Sequence, residues 1–149
     1  MTSFRRHHVA ISVRNLDDTI RFYSYFGFEQ RARWTAKDGS LIIVHMLQPD
    51  GFCLEVFCYA SNQAVPTPSL AVGNDLTQIG VKHFAFNVED IRRVYDEIVR
   101  AGLGQVTEIT RGRTLIDYFF VRDPDSNWVE VVEETRDFSG GDCLYIEEQ

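Results

Sequence analysis

The first regular feature of the chain is an alternation. From His8 to Val13 the sequence reads His-Val-Ala-Ile-Ser-Val, and a period of two predicts a strand with one face covered and the other open. Immediately after it, Leu16, Ile20, Phe22, Tyr23 and Phe26 recur at helical spacing, which predicts an amphipathic helix. Asn15 or Asp17 can cap its start, and Gly27 stands where a helix end favours a residue tolerant of positive φ. Three further short strands are expected at about 28–34, 40–47 and 52–58, set apart by the turn formers Lys37-Asp38-Gly39 and Pro49-Asp50-Gly51.

The whole pattern then recurs. A shift of 75 residues lays His8-Val9-Ala10-Ile11-Ser12-Val13 over His83-Phe84-Ala85-Phe86-Asn87-Val88, Gly27 over Gly102, and Leu54-Glu55-Val56 over Val129-Glu130-Val131, without a gap. In the second copy Ile91, Val94, Tyr95 and Ile98 form the helical stripe, opened by Asn87 to Asp90. Strands are expected at about 105–110, 114–121 and 127–133, with turns at Arg111-Gly112 and Asp123-Pro124-Asp125. Two copies make a duplicated module and not a solenoid. The expected fold class is α+β, two tandem βαβββ modules over 5–58 and 81–134. A linker over 59–80, carrying Pro66 and Pro68, is long enough to cross between modules or to cover a pocket, and 135–149 reads as a weakly ordered tail.

Sorting the strands by face isolates the chemistry. Val9, Ile11 and Val13 share the apolar side of the first strand, the natural seat for the helix, while His8, Ala10 and Ser12 share the other. The second copy divides in the same way, with His83, Ala85 and Asn87 opposite Phe84, Phe86 and Val88. In the last strands Glu55 lies with Cys53 and Phe57, and Glu130 with Trp128 and Val132. A carboxylate in a strand that is otherwise apolar on both sides is costly unless it is paired or metal-bound. Glu55 follows His8 by 47 residues and Glu130 follows His83 by the same 47. Each module therefore offers one imidazole and one carboxylate from matching positions, and two nitrogens with two anionic oxygens suit a divalent first-row metal. A lone histidine heading a strand is ordinarily structural and a lone glutamate ordinarily solvated; the matched pairs are what weigh against those readings. His7 has Lys82 as its repeat equivalent and is read as a non-ligand, whereas His45, opposite Phe120 in the repeat, is read as a surface residue, with a pocket or supporting role as the alternative.

Composition narrows the class further. With 44% hydrophobic and 25% charged residues in 149, the chain has the profile of an ordinary globular protein. A net charge of −7 opposes a polyanion partner such as nucleic acid. Cys53, Cys58 and Cys143 are odd in number and form no CxxC, against a disulfide framework or a zinc ribbon. No apolar run approaches the roughly 20 residues of a membrane span, and the basic start of the chain lacks a signal-peptide core. The expectation is a cytoplasmic protein with no nucleic-acid or membrane partner.

Several of these segments resemble the vicinal oxygen chelate superfamily of glyoxalase I, methylmalonyl-CoA epimerase, extradiol dioxygenases and bleomycin-resistance proteins. The resemblance rests on His8-Val9-Ala10-Ile11 with Asn15-Leu16-Asp17, on Phe22-Tyr23 with Phe26-Gly27-Phe28, on His83-Phe84-Ala85-Phe86, and on Arg122-Asp123-Pro124-Asp125-Ser126-Asn127-Trp128-Val129-Glu130. The last is similar to the family's DPDGN turn and metal-binding strand, with Ser126 where glycine is usual. About residues 5–134 are covered. The resemblance implies two modules whose sheets form a half-open mixed barrel around a metal, with His8, Glu55, His83 and Glu130 as ligands of a zinc, nickel, cobalt, manganese or iron ion. Glu130 or Glu55 would act as the catalytic base, and the protein would be a homodimer acting on a small-molecule substrate, as members of the superfamily commonly are.

The resemblance also sets limits on the substrate. Glutathione-binding members carry an arginine four residues after the first ligand and an asparagine four after the second; Ser12 and Tyr59 stand there instead. Extradiol dioxygenases use a three-ligand subset, here His8, His83 and Glu130, and carry a tyrosine ten residues and a histidine about nineteen before the final glutamate; Phe120 and Arg111 occupy those places. Antibiotic-sequestering members usually lack the ligand set, which this chain retains. The implied activity is that of a metal-dependent glyoxalase-type isomerase or lyase on a small molecule with two adjacent oxygens. A non-haem iron dioxygenase and a non-catalytic ligand-binding module are the alternatives. Phe57, Tyr118, Phe120 and Trp128 are candidate pocket walls, each with an ordinary core role as the simpler reading, and Asn87 and Ser12 are candidate polar pocket residues.

Overall fold

The computed structural model of the protein describes residues 5–63, 72–77, 79–138, 143 and 146. The chain divides into two compact units, Met1–Pro68 and Ser69–Gln149, and each contains one βαβββ module.

In the first unit, β1 (His8–Ser12) leads into α1 (Leu16–Tyr25), followed by β2 (Glu29–Thr35), β3 (Leu41–Leu47) and β4 (Cys53–Tyr59). The sheet order is β1-β4-β3-β2, with β1 parallel to β4 and the remaining pairs antiparallel. The parallel pair arises because the helix and two strands intervene between its members, as a crossover requires. The Asn15 side chain accepts from the backbone N–H groups of Asp17 and Asp18 at 3.0 and 3.2 Å, which settles the capping choice in its favour. Val13, Leu16, Phe22, Tyr23, Phe28, Val44, Met46, Leu54 and Val56 are all buried. These residues occupy the helix side of the sheet, so the opposite face carries His8, Ile43, His45, Glu55 and Phe57.

The second unit repeats the design with α2 (Val72–Leu76), β5 (His83–Asn87), α3 (Ile91–Ala101), β6 (Thr110–Arg111), β7 (Asp117–Arg122) and β8 (Trp128–Glu133) in the sheet order β5-β8-β7-β6. Asp90 caps α3 by accepting from Arg93 N–H at 2.9 Å, and Gly102 ends it at φ 63°. Glu133 supports the same helix start, its carboxylate accepting from Ile91 N–H at 2.9 Å. Ile91, Ile98, Phe119, Val121, Val129 and Val131 form the core.

Two strand expectations in this unit need correction. The strand foreseen over 105–110 shrinks to the two residues of β6, preceded by an isolated bridge between Val106 and Val121. Here Thr107 intrudes on the ladder: its hydroxyl, and not a carbonyl, accepts from Phe120 N–H at 2.9 Å. The strand foreseen over 114–121 begins only at Asp117, because the turn after Gly112 runs through Leu115 at φ 65° and closes with Gly112 N–H donating to Ile116 O at 2.8 Å.

Part of the expected linker, residues 64–71 and 78 with Pro66 and Pro68, lies outside the described residues. Its described portion holds the end of β4, the Asn62 side chain bonded to Val13 O and Tyr59 O, and the short helix α2, which the sequence pattern did not signal. Of the expected tail, Arg136 binds Glu134 and the carbonyl of Thr114, while 139–142, 144–145 and 147–149 lie outside the described residues. Among the described residues no helix is long and apolar enough to cross a membrane.

Candidate metal centre

The register of each sheet explains why a separation of 47 residues matters. In the first module His8 faces Cys53 and Ala10 faces Glu55 across the parallel pair; in the second His83 faces Trp128 and Ala85 faces Glu130. Partners in register point to the same side, so each histidine and its glutamate are diagonal neighbours on the face away from the helix. The small residue between them matters as well. An alanine lies directly across from each glutamate, and a larger side chain there would fill the space over the carboxylate.

The side chains meet within each module. His8 Nε2 lies 3.6 Å from Glu55 Oε2, and His83 Nε2 lies 3.2 Å from Glu130 Oε2. The second pair is the more enclosed: the His83 and Glu130 side chains are 25% and 15% exposed, against 43% and 21% for His8 and Glu55. Two donors adjacent on one cation, each bonded at about 2.1 Å, stand roughly 3.0–3.4 Å apart in octahedral or tetrahedral geometry. The observed spacings lie close to that range, and the donor set of neutral nitrogen and anionic oxygen suits a borderline divalent ion. Among the described residues no group of three or more histidine, cysteine, aspartate or glutamate side chains is drawn into one metal-holding cluster. What the structure brings together is one pair in each module.

Two further histidines lie beside the first pair. His45, whose side chain is 41% exposed and so at the surface as expected, also places Nε2 3.0 Å from Glu55 Oε1 and lies directly across from Glu55 in the β3–β4 ladder. His7 Nδ1 lies 2.8 Å from His8 Nδ1, so one ring donates a proton to the other. The signal for His45 was present. Residues 45 and 55 are equidistant from Asp50, the centre of the Pro49-Asp50-Gly51 turn, and a hairpin about that turn pairs them. Glu55 also acts on its neighbour Cys53, whose thiol is pushed up from its ordinary value first by burial and then by the carboxylate.

The candidate pocket walls divide. Phe120 and Trp128 are buried, with ring centroids 5.8 Å apart. Phe120 also meets the edges of His83 at 5.0 Å and Tyr118 at 5.5 Å. This aromatic group therefore packs on the imidazole of the second pair. The Arg122 guanidinium lies 3.8 Å over the Trp128 ring, and the buried Trp128 Nε1–H has no acceptor among the described residues. Phe57 is half-buried on the face that carries Glu55. Asn87 is otherwise engaged: its side-chain oxygen accepts from Glu134 N–H at 2.9 Å, a bond that ties the end of β5 to the end of β8. Ser12 is exposed on the His8 face.

The turn that delivers Glu130 is built on a buried acid. Asp123, 5% exposed, accepts from Asp125 N–H at 2.9 Å, Asn127 N–H at 2.8 Å and the Asn127 amide at 2.9 Å. Ser126 takes the left-handed conformation there, at φ 71°.

The sequence profile of the Glyoxalase/Bleomycin resistance protein/Dioxygenase superfamily matches residues 5–131. The chain belongs to this superfamily. Among curated relatives it is similar to a lactoylglutathione lyase of Schizosaccharomyces pombe, 25% identical over 90% of this chain and 46% of that protein. It is also similar to a glyoxalase I of Saccharomyces cerevisiae, 22% identical over 88% of this chain and 45% of that protein. The chain thus spans about half the length of the curated relatives it matches. Among solved structures, a glyoxalase family protein from Enterococcus faecalis superposes with a TM-score of 0.72 at 27% identity, covering 87% of this chain and 97% of that one. Membership of the superfamily accounts for the duplicated βαβββ module.

Proposed function

We propose that the protein is a metal-dependent glyoxalase-type isomerase or lyase acting on a small substrate with two adjacent oxygens. The ligand set of this reading is His8 and Glu55 from the first module and His83 and Glu130 from the second. The observation that carries it is the duplicated pair, the same two residue types in the same register, on the open face of each sheet, at 3.6 and 3.2 Å. The names of the two yeast relatives agree with the lyase class.

Once bound, a divalent cation supplies Lewis acidity, lowering the energy of negative charge that develops on a substrate oxygen by several kcal/mol. The chain's own residues do the rest. His8 and His83 present Nε2 lone pairs, which requires the proton of each ring to sit on Nδ1. The short contact between His7 Nδ1 and His8 Nδ1 gives that proton an acceptor in the first module. Glu55 and Glu130 are the carboxylates able to take a proton from carbon and return it to the neighbouring carbon or oxygen, the exchange that an isomerase of this type performs. Phe120 and Trp128 limit water around His83 and leave a proton held by a carboxylate fewer routes to bulk solvent.

The test is turnover by purified, cobalt-loaded protein on a panel of hemithioacetals formed from 2-oxoaldehydes and several thiols, alongside 2-hydroxyacyl thioesters. The reading expects one adduct class to turn over. Glu130→Gln or Glu55→Gln should then lower kcat by about 10²–10⁴, the usual worth of a positioned acid–base group, and a chelator should abolish activity. Tight aromatic-ligand binding that survives the chelator without turnover would favour a sequestering module instead, and oxygen uptake with a catechol would favour a dioxygenase.

A further inference from the structure

The two half-sites are matched in their His–Glu pairs and unmatched in what stands behind them. At one strand position the first module has His45 and the second has Phe120, facing Glu55 and Glu130 respectively in the ladder. His45 supports the carboxylate, with Nε2 at 3.0 Å from Glu55 Oε1. Phe120 has no proton to donate and packs instead on the imidazole, its ring centroid 5.0 Å from that of His83. The same place in the fold thus braces the glutamate in one module and the histidine in the other.

We infer that His45 is a positioning residue, whose Nε2–H binds Glu55 Oε1 and so turns Oε2 alone toward His8 as the donor for a cation. The inference rests on the ligand set proposed above. Its physical basis is the division of labour between the two oxygens of one carboxylate: Oε1 lies 3.0 Å from His45 and Oε2 lies 3.6 Å from His8. An ionised carboxylate only accepts hydrogen bonds, so the proton of this contact belongs to His45. A carboxylate with one oxygen held by a fixed donor loses little further freedom when the other oxygen binds a metal, and such supporting bonds usually change metal affinity by 10–100-fold. Glu130, with a phenyl ring across from it, receives no such hold from the matching position.

The experiment uses the full chain and cobalt(II), whose visible absorption reports binding. Affinity is measured for the wild type, for His45→Phe, which copies the second module, and for His45→Gln, which restores an N–H donor. Far-ultraviolet circular dichroism checks the fold, with His45→Ala replacing the phenylalanine variant if that one misfolds. The inference expects His45→Phe to bind cobalt at least tenfold more weakly and His45→Gln to recover most of the loss. Equal affinity of His45→Phe and wild type would overturn it while leaving the ligand set standing, as would a glutamine variant no better than phenylalanine. A wild type that binds no cobalt would overturn the ligand set itself, and the inference with it.

Discussion

Asp123 offers a quantitative test of how the second carboxylate is held in place. Its side chain, 5% exposed, binds two backbone N–H groups and the Asn127 amide in the turn that leads into β8. Asp123→Ala removes three acceptor contacts and strands their donors. A hydrogen bond to a charged group contributes about 1.5–3 kcal/mol, and an orphaned buried donor costs about 1–3 kcal/mol. Water can reach part of this turn, since Asp125 and Asn127 are not fully buried, so each of the three stranded donors counts at about 1 kcal/mol, the low end of its cost, and not at the full worth of its bond. The expected loss is about 2–4 kcal/mol, which for a chain of this size lowers Tm by roughly 5–15 °C. Asp123→Asn keeps one carbonyl oxygen and should lose about half as much. Urea unfolding followed by Trp fluorescence and circular dichroism measures both variants. A loss below about 1 kcal/mol for Asp123→Ala would refute the idea that this carboxylate holds the turn together.

The other predictions address neighbouring features. Ser126→Gly should stabilise the protein by a few tenths to about 1 kcal/mol, because none of the turn bonds named above uses the Ser126 side chain while the left-handed φ of 71° penalises a side chain; thermal melts that show destabilisation would contradict this. The Arg136 guanidinium pulls the Glu134 carboxyl from an ordinary 4.5 down to about 2. A depressed carboxylate stabilises the fold above its unfolded pKa and loses that contribution as pH falls through the folded one, so acid unfolding should deepen between pH 4.5 and 2 and Arg136→Ala should flatten that window. Cys53, buried and with its thiol pushed up beside Glu55, should resist a thiol reagent at pH 8 until the protein is denatured, while the exposed Cys143 reacts first.

Much of the fold was legible because one periodicity, written twice, leaves few choices. The alternation in His8–Ser12 and His83–Asn87 gave the strands and their faces, and the equal spacing of Glu55 and Glu130 placed each carboxylate diagonally beside its histidine. What escaped was decided by single side chains acting on the backbone. Thr107 substituted its hydroxyl for a ladder acceptor and cut β6 to two residues, and Leu115 adopted a positive φ that propensity does not favour. His45 was legible only as a choice between a surface and a supporting role, because its repeat equivalent is a phenylalanine and the two copies give it no matching partner. Asn87 has a task that its place on the open face did not signal, since its side-chain oxygen accepts from Glu134 N–H.

The proposed function makes both His–Glu pairs ligands of one cation, and the stoichiometry of cobalt binding tests that proposal most directly. Equilibrium dialysis of the wild type, His8→Ala, His83→Ala and the double variant counts ions per chain. One ion per chain is expected, with either single substitution weakening that same ion at least tenfold. Two independent ions per chain, each lost with only its own histidine, or an affinity that both alanine variants leave unchanged, would contradict the account.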